Sequence, residues 1–274
     1  MKTLYISDLD GTLLDNTPKT SEYTNKTINA LQKEGVVFSF ATARSFTTAK
    51  KVIKGLTINY PAVVHNGTFI VDNEGKILIK NTFSKEDSHS ILDTLLKNEV
   101  HPIVYSLIDN KEQFSYVRKT LNSETKEFLE SRRDDKRNRE VYDNSKLYDG
   151  EIYYFTLIGD EDKTKPLYEL FKDSFQCYFQ KDMYSGDYWL EILPKNATKA
   201  NAVNQLKNML SCDEIVAFGD GINDVEMFKV ADKCYATENA VDELKAISTK
   251  IIESNIKNGV AKWLKNSYTS IDKQ

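Results

Sequence analysis

The chain is expected to be an α/β protein with a doubly wound parallel sheet, interrupted by an inserted α+β segment that carries an antiparallel sheet. Three observations lead there. Short apolar runs alternate with helical periodicity over residues 1–80, short runs separated by turns fill the middle, and the alternation resumes after Pro194. Alternating strands and helices imply a parallel sheet with helices on both faces, whereas strands joined by tight turns pair antiparallel.

Residues 3–6 are apolar, β-branched or aromatic, too few for a helix and suited to a buried strand. Asp8-Leu9-Asp10-Gly11-Thr12-Leu13-Leu14 leaves the end of that strand, and Gly11 allows a sharp turn behind the acids. A helix is expected over 21–34, where Ile28 and Leu31 are spaced for one face and Gly35 ends the run. The apolar run 36–41 is a second strand, followed by Thr42-Ala43-Arg44 and a helix over 45–55. A hydroxyl between a strand end and a helix N-terminus makes a seat for an anion, although Thr42 alone reads more readily as a plain cap or strand residue. A third strand over 61–65 ends in Asn66-Gly67, a pair that tolerates positive φ, and Asp72-Asn73-Glu74-Gly75 turns a hairpin between 68–71 and 76–79.

The middle is expected to contain a helix over 87–97, strands over 103–108 and 113–117, and a charged helical stretch over 122–139. A strand over 152–158, a helix over 164–172 and strands near 176–180 and 188–193 follow. This divides the chain into a discontinuous core, 1–83 with 191–274, and an insert, 84–190. The run from Arg132 to Glu140 mixes charge signs and lacks interleaved aromatics, so it is a solvated face or loop rather than a nucleic-acid patch. Beyond Pro194, a helix over 196–210 places Lys199 in its first turn, where a cation opposes the helix dipole; alone it is an ordinary solvent lysine. The strand over 215–218 then feeds Gly219-Asp220-Gly221-Ile222-Asn223-Asp224 and a helix through Phe228. Strands over 234–236 and 250–252 and helices over 240–247 and 259–264 close the chain.

Composition narrows the classes. The 274 residues, 40% of them hydrophobic, suffice for a sizeable core. A net charge of −4, from 37 basic and 41 acidic side chains, leaves no nucleic-acid footprint and no acidic tail. Cys177, Cys212 and Cys234 show neither disulfide nor zinc spacing, which points to reduced thiols in a cytoplasmic protein. The start of the chain lacks the apolar stretch of a signal peptide, and no run is long enough to span a bilayer. No obligate protein partner is evident.

Asp8 and Asp10 could be plain turn residues. Two acid-bearing strand ends in one sheet can converge, however, and carboxylates sharing a partly dry site need a cation or protons to offset their repulsion.

Taken in order, the Asp8–Leu13 segment, Thr42-Ala43-Arg44, Lys199 and the Gly219–Asp224 loop resemble the motifs of the haloacid dehalogenase (HAD) superfamily of phosphohydrolases. Asn66-Gly67-Thr68, the long insertion, Asn239-Ala240 and Gly259-Val260-Ala261 resemble its Cof-like branch, with Ala43 standing where the family usually has Gly. The resemblance implies a three-layer, Rossmann-like core with an inserted cap that acts as a substrate-selecting lid. It implies a Mg2+-dependent phosphatase of small phosphorylated metabolites, sugar phosphates or cofactor- and nucleotide-like phosphates, working through an aspartyl-phosphate. Asp8 would be the nucleophile and Asp10 the acid/base. Asp8, Asp220 and Asp224 would hold the metal, with Asp10 approaching it by its backbone carbonyl. Lys199 and Thr42 would hold phosphoryl oxygens, with Leu9, Gly11, Thr12, Ala43 and Asn223 around the phosphate and Arg44 and Asn66 toward the leaving group. An all-oxygen donor set suits a hard cation. A phosphomutase or phosphotransferase would share all these residues, and a non-catalytic metabolite sensor is a third alternative. Tyr184, Asp187, Tyr188, Trp189 and Glu191, near the end of the insert, are candidate leaving-group contacts, although aromatic strand residues are more often core.

Overall fold

The short apolar runs of the first segment form its strands. In the computed structural model, which describes residues 1–181 and 186–271, the chain opens with β1 (Thr3–Ser7), α1 (Glu22–Lys33), β2 (Val37–Phe40), α2 (Phe46–Val52) and β3 (Ala62–Val64). The β4–β5 hairpin (Phe69–Val71, Ile77–Lys80) follows. Ser21 and Ser45 cap α1 and α2 by accepting the N–H groups of Thr24 and Thr48.

The middle runs α3 (Lys85–Lys97), β6 (Ile103–Ile108), β7 (Lys111–Tyr116), α4 (Ser123–Glu130), β8 (Asn138–Glu140), β9 (Glu151–Gly159), α5 (Glu161–Phe171), β10 (Gln176–Lys181) and β11 (Tyr188–Leu193). The rest is α6 (Lys199–Met209), β12 (Glu214–Gly219), α7 (Val225–Val230), β13 (Lys233–Thr237), α8 (Asp242–Ile247), β14 (Lys250–Ile252) and α9 (Gly259–Ile271).

These elements form two compact units, Met1–Lys80 with Thr198–Gln274, and Asn81–Ala197. The sequence-based boundary at 190/191 would cut β11, which pairs along both edges with β9 and β10 and stays whole in the second unit.

In the first unit five parallel strands lie in the order β14-β13-β12-β1-β2. Strand periodicity turns Leu4 and Ile6 to one face, where they pack with Val203 and Leu206 of α6, Met227 of α7 and Leu244 of α8. Tyr5, between them, turns to the other face and meets Trp263 of α9, which also packs on Phe218 and Tyr235. The sheet is thus covered on both faces, as a doubly wound fold requires. The expected third parallel strand differs: β3 pairs antiparallel with β4 in a separate three-stranded sheet and touches the β2 side through a single Ala41–Val63 bridge. That bridge is parallel, and irregular bonds continue it, Thr42 donating its N–H to the Val63 carbonyl, Asn66 to the Thr42 carbonyl and His65 to the Arg44 carbonyl, each at 3.0 Å.

The second unit is a six-stranded sheet in the order β10-β11-β9-β6-β7-β8, antiparallel except for β7–β8. Leu92 and Leu95 of α3 and Leu167 and Phe171 of α5 pack with Val104, Phe155 and Leu190 on one face, while Leu129 of α4 packs with Ile103 and Phe114 on the other. The charged stretch over 122–139 is not one helix, since α4 ends at Glu130. The Asp135 carboxylate accepts the Arg137 N–H at 3.0 Å and the Arg137 guanidinium at 2.7 Å, which closes a local turn that competes with the helix. Residues 138–140 then add to the sheet as β8. Among the described residues no helix is long and apolar enough to cross a membrane.

Candidate active site

β1 and β12 are neighbours in register, with Ser7 opposite Phe218, so the residues that follow each strand emerge side by side at the carboxyl edge of the sheet. Asp8 is the first residue past β1 and donates its N–H to the Phe218 carbonyl at 2.9 Å. Carboxylate oxygens of Asp8, Asp220 and Asp224 all lie within 4.8 Å of one another. Lys199 Nζ donates to Asp8 Oδ1 at 2.6 Å and to Asp224 Oδ1 at 2.7 Å, and its side chain is fully buried. The solvent-lysine alternative is therefore excluded. A sequence signal was present: Lys199 stands one and two helical turns before Val203 and Leu206 on the buried stripe of α6.

Electrostatics follow from burial. Desolvation drives the Asp8 carboxyl well above its ordinary range, against the pull of Lys199. Burial opposes charge on Lys199, but Asp224 and Asp8 outweigh it and raise its pKa. Asp220 is pushed up to about 6, chiefly by burial, while the hydroxyl of Thr12, which donates to its Oδ1 at 2.6 Å, pulls the other way. The sign of the pH effect is then fixed. Between the ordinary carboxyl value and about 6 the folded, metal-free state holds more protons at Asp220 than the unfolded chain, so stability is lost as pH rises through that window. Asp220→Asn is expected to stabilise the metal-free protein on the order of 1 kcal/mol more at pH 7 than at pH 5, after solvent screening. Thermal midpoints of both proteins at the two pH values check this; a larger gain at pH 5 would contradict it.

Gly11 adopts φ +75°, and a Cβ there would lie 2.1 Å from Asp220 Oδ2. Only glycine lets the turn after Asp8 approach the second acid-bearing loop. Asp224 is wholly buried, and its Oδ2 accepts the N–H groups of Asp220 and Gly221 at 3.0 Å each, which ties its own loop together.

The remaining candidates divide. Asp10 lies outside the acid cluster: its carboxylate accepts Arg44 Nε at 2.7 Å and Nη2 at 2.6 Å, a bidentate pair absent from the sequence-based expectations. The hydrogen bonds that the guanidinium donates to Asp10 raise the Arg44 pKa. Thr42 is fully buried and its Oγ1 accepts the Arg44 N–H at 3.1 Å, while Ala43 is exposed. Leu9 is buried and its carbonyl accepts the Leu14 N–H at 2.9 Å, closing the turn. Asn66 is buried at φ +53°, and its Oδ1 accepts Asn223 Nδ2 at 3.4 Å. His65, at φ +49°, shares the strained turn; only the Asn66-Gly67 pair pointed to it in sequence.

Asp187, Trp189 and Glu191 belong to the second unit. Trp189 packs edge-on against Phe128, and Tyr188 stacks on Phe179, the structural roles such aromatics usually have. Glu191 stands opposite Tyr178 and Thr156 in the sheet and adds to the effect of burial in raising the Tyr154 pKa. Tyr184 lies outside the described residues.

A family model described as haloacid dehalogenase-like hydrolase matches residues 5–264. The 5-amino-6-(5-phospho-D-ribitylamino)uracil phosphatase YwtE of Bacillus subtilis is 28% identical over 96% of this chain and 97% of its own length. Phosphatase YwpJ of the same organism is 25% identical over 97% of this chain and 99% of its own. A crystal structure from Thermotoga maritima superposes with a TM-score of 0.79 at 25% identity, covering 97% of each chain. The shared core, the full-length match and the phosphatase relatives agree, and the chain belongs to the haloacid dehalogenase superfamily as a Cof-like phosphatase.

Proposed function

We propose that this phosphatase is Mg2+-dependent and hydrolyses small phosphorylated metabolites through an aspartyl-phosphate on Asp8. The observation that carries this is the convergence of Asp8, Asp220 and Asp224 around a buried Lys199. The donors fit a hard divalent cation: all are carboxylate oxygens within reach of a common centre, and one ammonium does not balance their charge. Asp8, Asp220 and Asp224 would hold Mg2+, with the Asp10 carbonyl beside them; when bound, the ion offsets the negative charge of carboxylates and phosphoryl group.

The chain's own residues then supply the chemistry. Asp8 attacks phosphorus, forming an O–P bond as the ester O–P bond breaks, and Asp10, having taken a proton from solvent once released from Arg44, gives it to the departing oxygen. Asp10 then takes a proton from the water that attacks the aspartyl-phosphate, releasing phosphate and restoring Asp8. Lys199 and Thr42 steady the phosphoryl oxygens, with Leu9, Gly11, Thr12, Ala43 and Asn223 around them. The Arg44–Asp10 pair must open before the acid can face a leaving group, which frees Arg44, beside Asn66, to meet the substrate. Residues 81–197 would act as the cap that selects the leaving group, with Asp187, Trp189 and Glu191 as candidate contacts. The substrate named for YwtE, a phosphorylated ribitylamino-uracil, supports the small-metabolite class.

The test is phosphate release from sugar phosphates, nucleotide- and cofactor-like phosphates and an aryl phosphate. Chelation is expected to lower the rate at least about 100-fold, with recovery on adding Mg2+. Turnover indifferent to chelation, or inertness on the whole panel with Mg2+ present, would defeat the proposal.

A further inference from the structure

The acid-bearing turn contains a weakness that its own geometry creates. Position 11 must be glycine because Asp220 occupies the space of a side chain, yet glycine at φ +75° has nearly free access to negative φ as well. Asp10 also departs from helical geometry, with ψ 123°, and the Leu14 N–H to Leu9 carbonyl bond closes the turn around it. Sterics therefore permit a flip that would displace Asp10.

Two asparagines from the far end of the chain oppose that flip. Asn239 Nδ2 donates to the Gly11 carbonyl at 2.8 Å, and Asn255 Nδ2 donates to the Leu14 carbonyl at 2.9 Å. They are linked to each other, the Asn255 N–H donating to Asn239 Oδ1 at 3.2 Å. Two residues beyond Asn239, the Val241 N–H donates to the Asp220 carbonyl at 2.9 Å. The β13–α8 connection thus touches both acid-bearing loops, and the relay Gly11–Asn239–Asn255–Leu14 grips the Asp10 turn at two carbonyls.

We infer that Asn239 and Asn255 are positioning residues that lock the Gly11 peptide and so hold Asp10 in register with Asp8. The inference rests on the proposed acid/base role of Asp10, but the brace itself can be measured apart from turnover. Asn239 is exposed, so its replacement leaves the core packing intact.

Asn239→Leu removes donor and acceptor at nearly constant size, and Asn239→Asp keeps the acceptor while setting an oxygen against the Gly11 carbonyl. With Mg2+ and an aryl phosphate, both are expected to lower kcat about 10-fold. KM is expected to stay within about twofold and the thermal midpoint near wild type. Amide hydrogen exchange over residues 10–14 is expected to quicken about 10-fold in both variants and in Asn255→Leu. Unchanged exchange overturns the brace whether or not the enzyme turns over the ester. Faster exchange with kcat held within twofold overturns the positioning role, as does a loss of kcat matched by an equal rise in KM. A wild-type protein inert toward every ester would instead count against the proposed chemistry, and exchange would still decide the brace.

Discussion

Asp8→Asn is expected to lower kcat by at least about 10^4-fold, because an amide offers phosphorus no anionic oxygen and the other side chains of the site cannot take the phosphoryl group in its place. Lys199 would still have Asp224, at 2.7 Å, as a charged partner. The fold is not expected to weaken. Burial raises the Asp8 pKa, so its charge is held at a cost in the native state, and removing that charge relieves a penalty that grows as pH rises. Initial rates with an aryl phosphate, alongside thermal midpoints at pH 7, check both halves. A variant within about tenfold of the wild-type rate would remove Asp8 from its assigned role.

Lys199→Met should be the most damaging change to the metal-free fold. The side chain is nearly as long, but Asp8 and Asp224 are left buried with no cation between them. Breaking a buried charge cluster by deleting one partner costs about 3–5 kcal/mol. The carboxylates can escape only by taking up protons, which would also disarm Asp8 as a nucleophile, so activity is expected to fall at least about 100-fold. The deficit carries a sign. Carboxyl groups with raised native pKa values bind more protons folded than unfolded, so the loss in thermal midpoint should be largest at pH 8 and shrink toward pH 5. Equal midpoints for variant and wild type across that range would show that the lysine does not neutralise the cluster.

These expectations explain why the geometry suits phosphoryl transfer. One ammonium among three close carboxylates leaves the site electron-rich, ready for a divalent cation yet destabilising without one. A site built this way trades stability for chemistry, and binding an ion to the native state alone returns some of it by mass action.

Much of this was legible in the residues themselves. The apolar runs marked β1, β2 and β12, the glycines marked the turns, and Asn66-Gly67 marked a turn that does adopt positive φ. Asp8 and Asp220 were placed at strand ends by short-range patterns alone. Charge spacing over 122–139 suits a helix but says nothing about the local bonds between Asp135 and Arg137, which hold the chain in a turn beyond Glu130. The place of β3 in a second sheet was equally hidden, since an apolar run does not say which neighbour it will pair with.

By itself, then, the sequence determined the kinds and order of the elements outside the 122–139 stretch, the loops that carry acids and the turns that need glycine or asparagine, because those depend on neighbours a few residues apart. Only the tertiary structure decided which polar groups share one dry environment. Lys199 reaches Asp8 across 191 positions, Thr12 reaches Asp220 across 208 and Asn239 reaches Gly11 across 228. Strand pairing brings such distant segments together, and burial then determines which of their charges are strong, which are shifted and which must be braced.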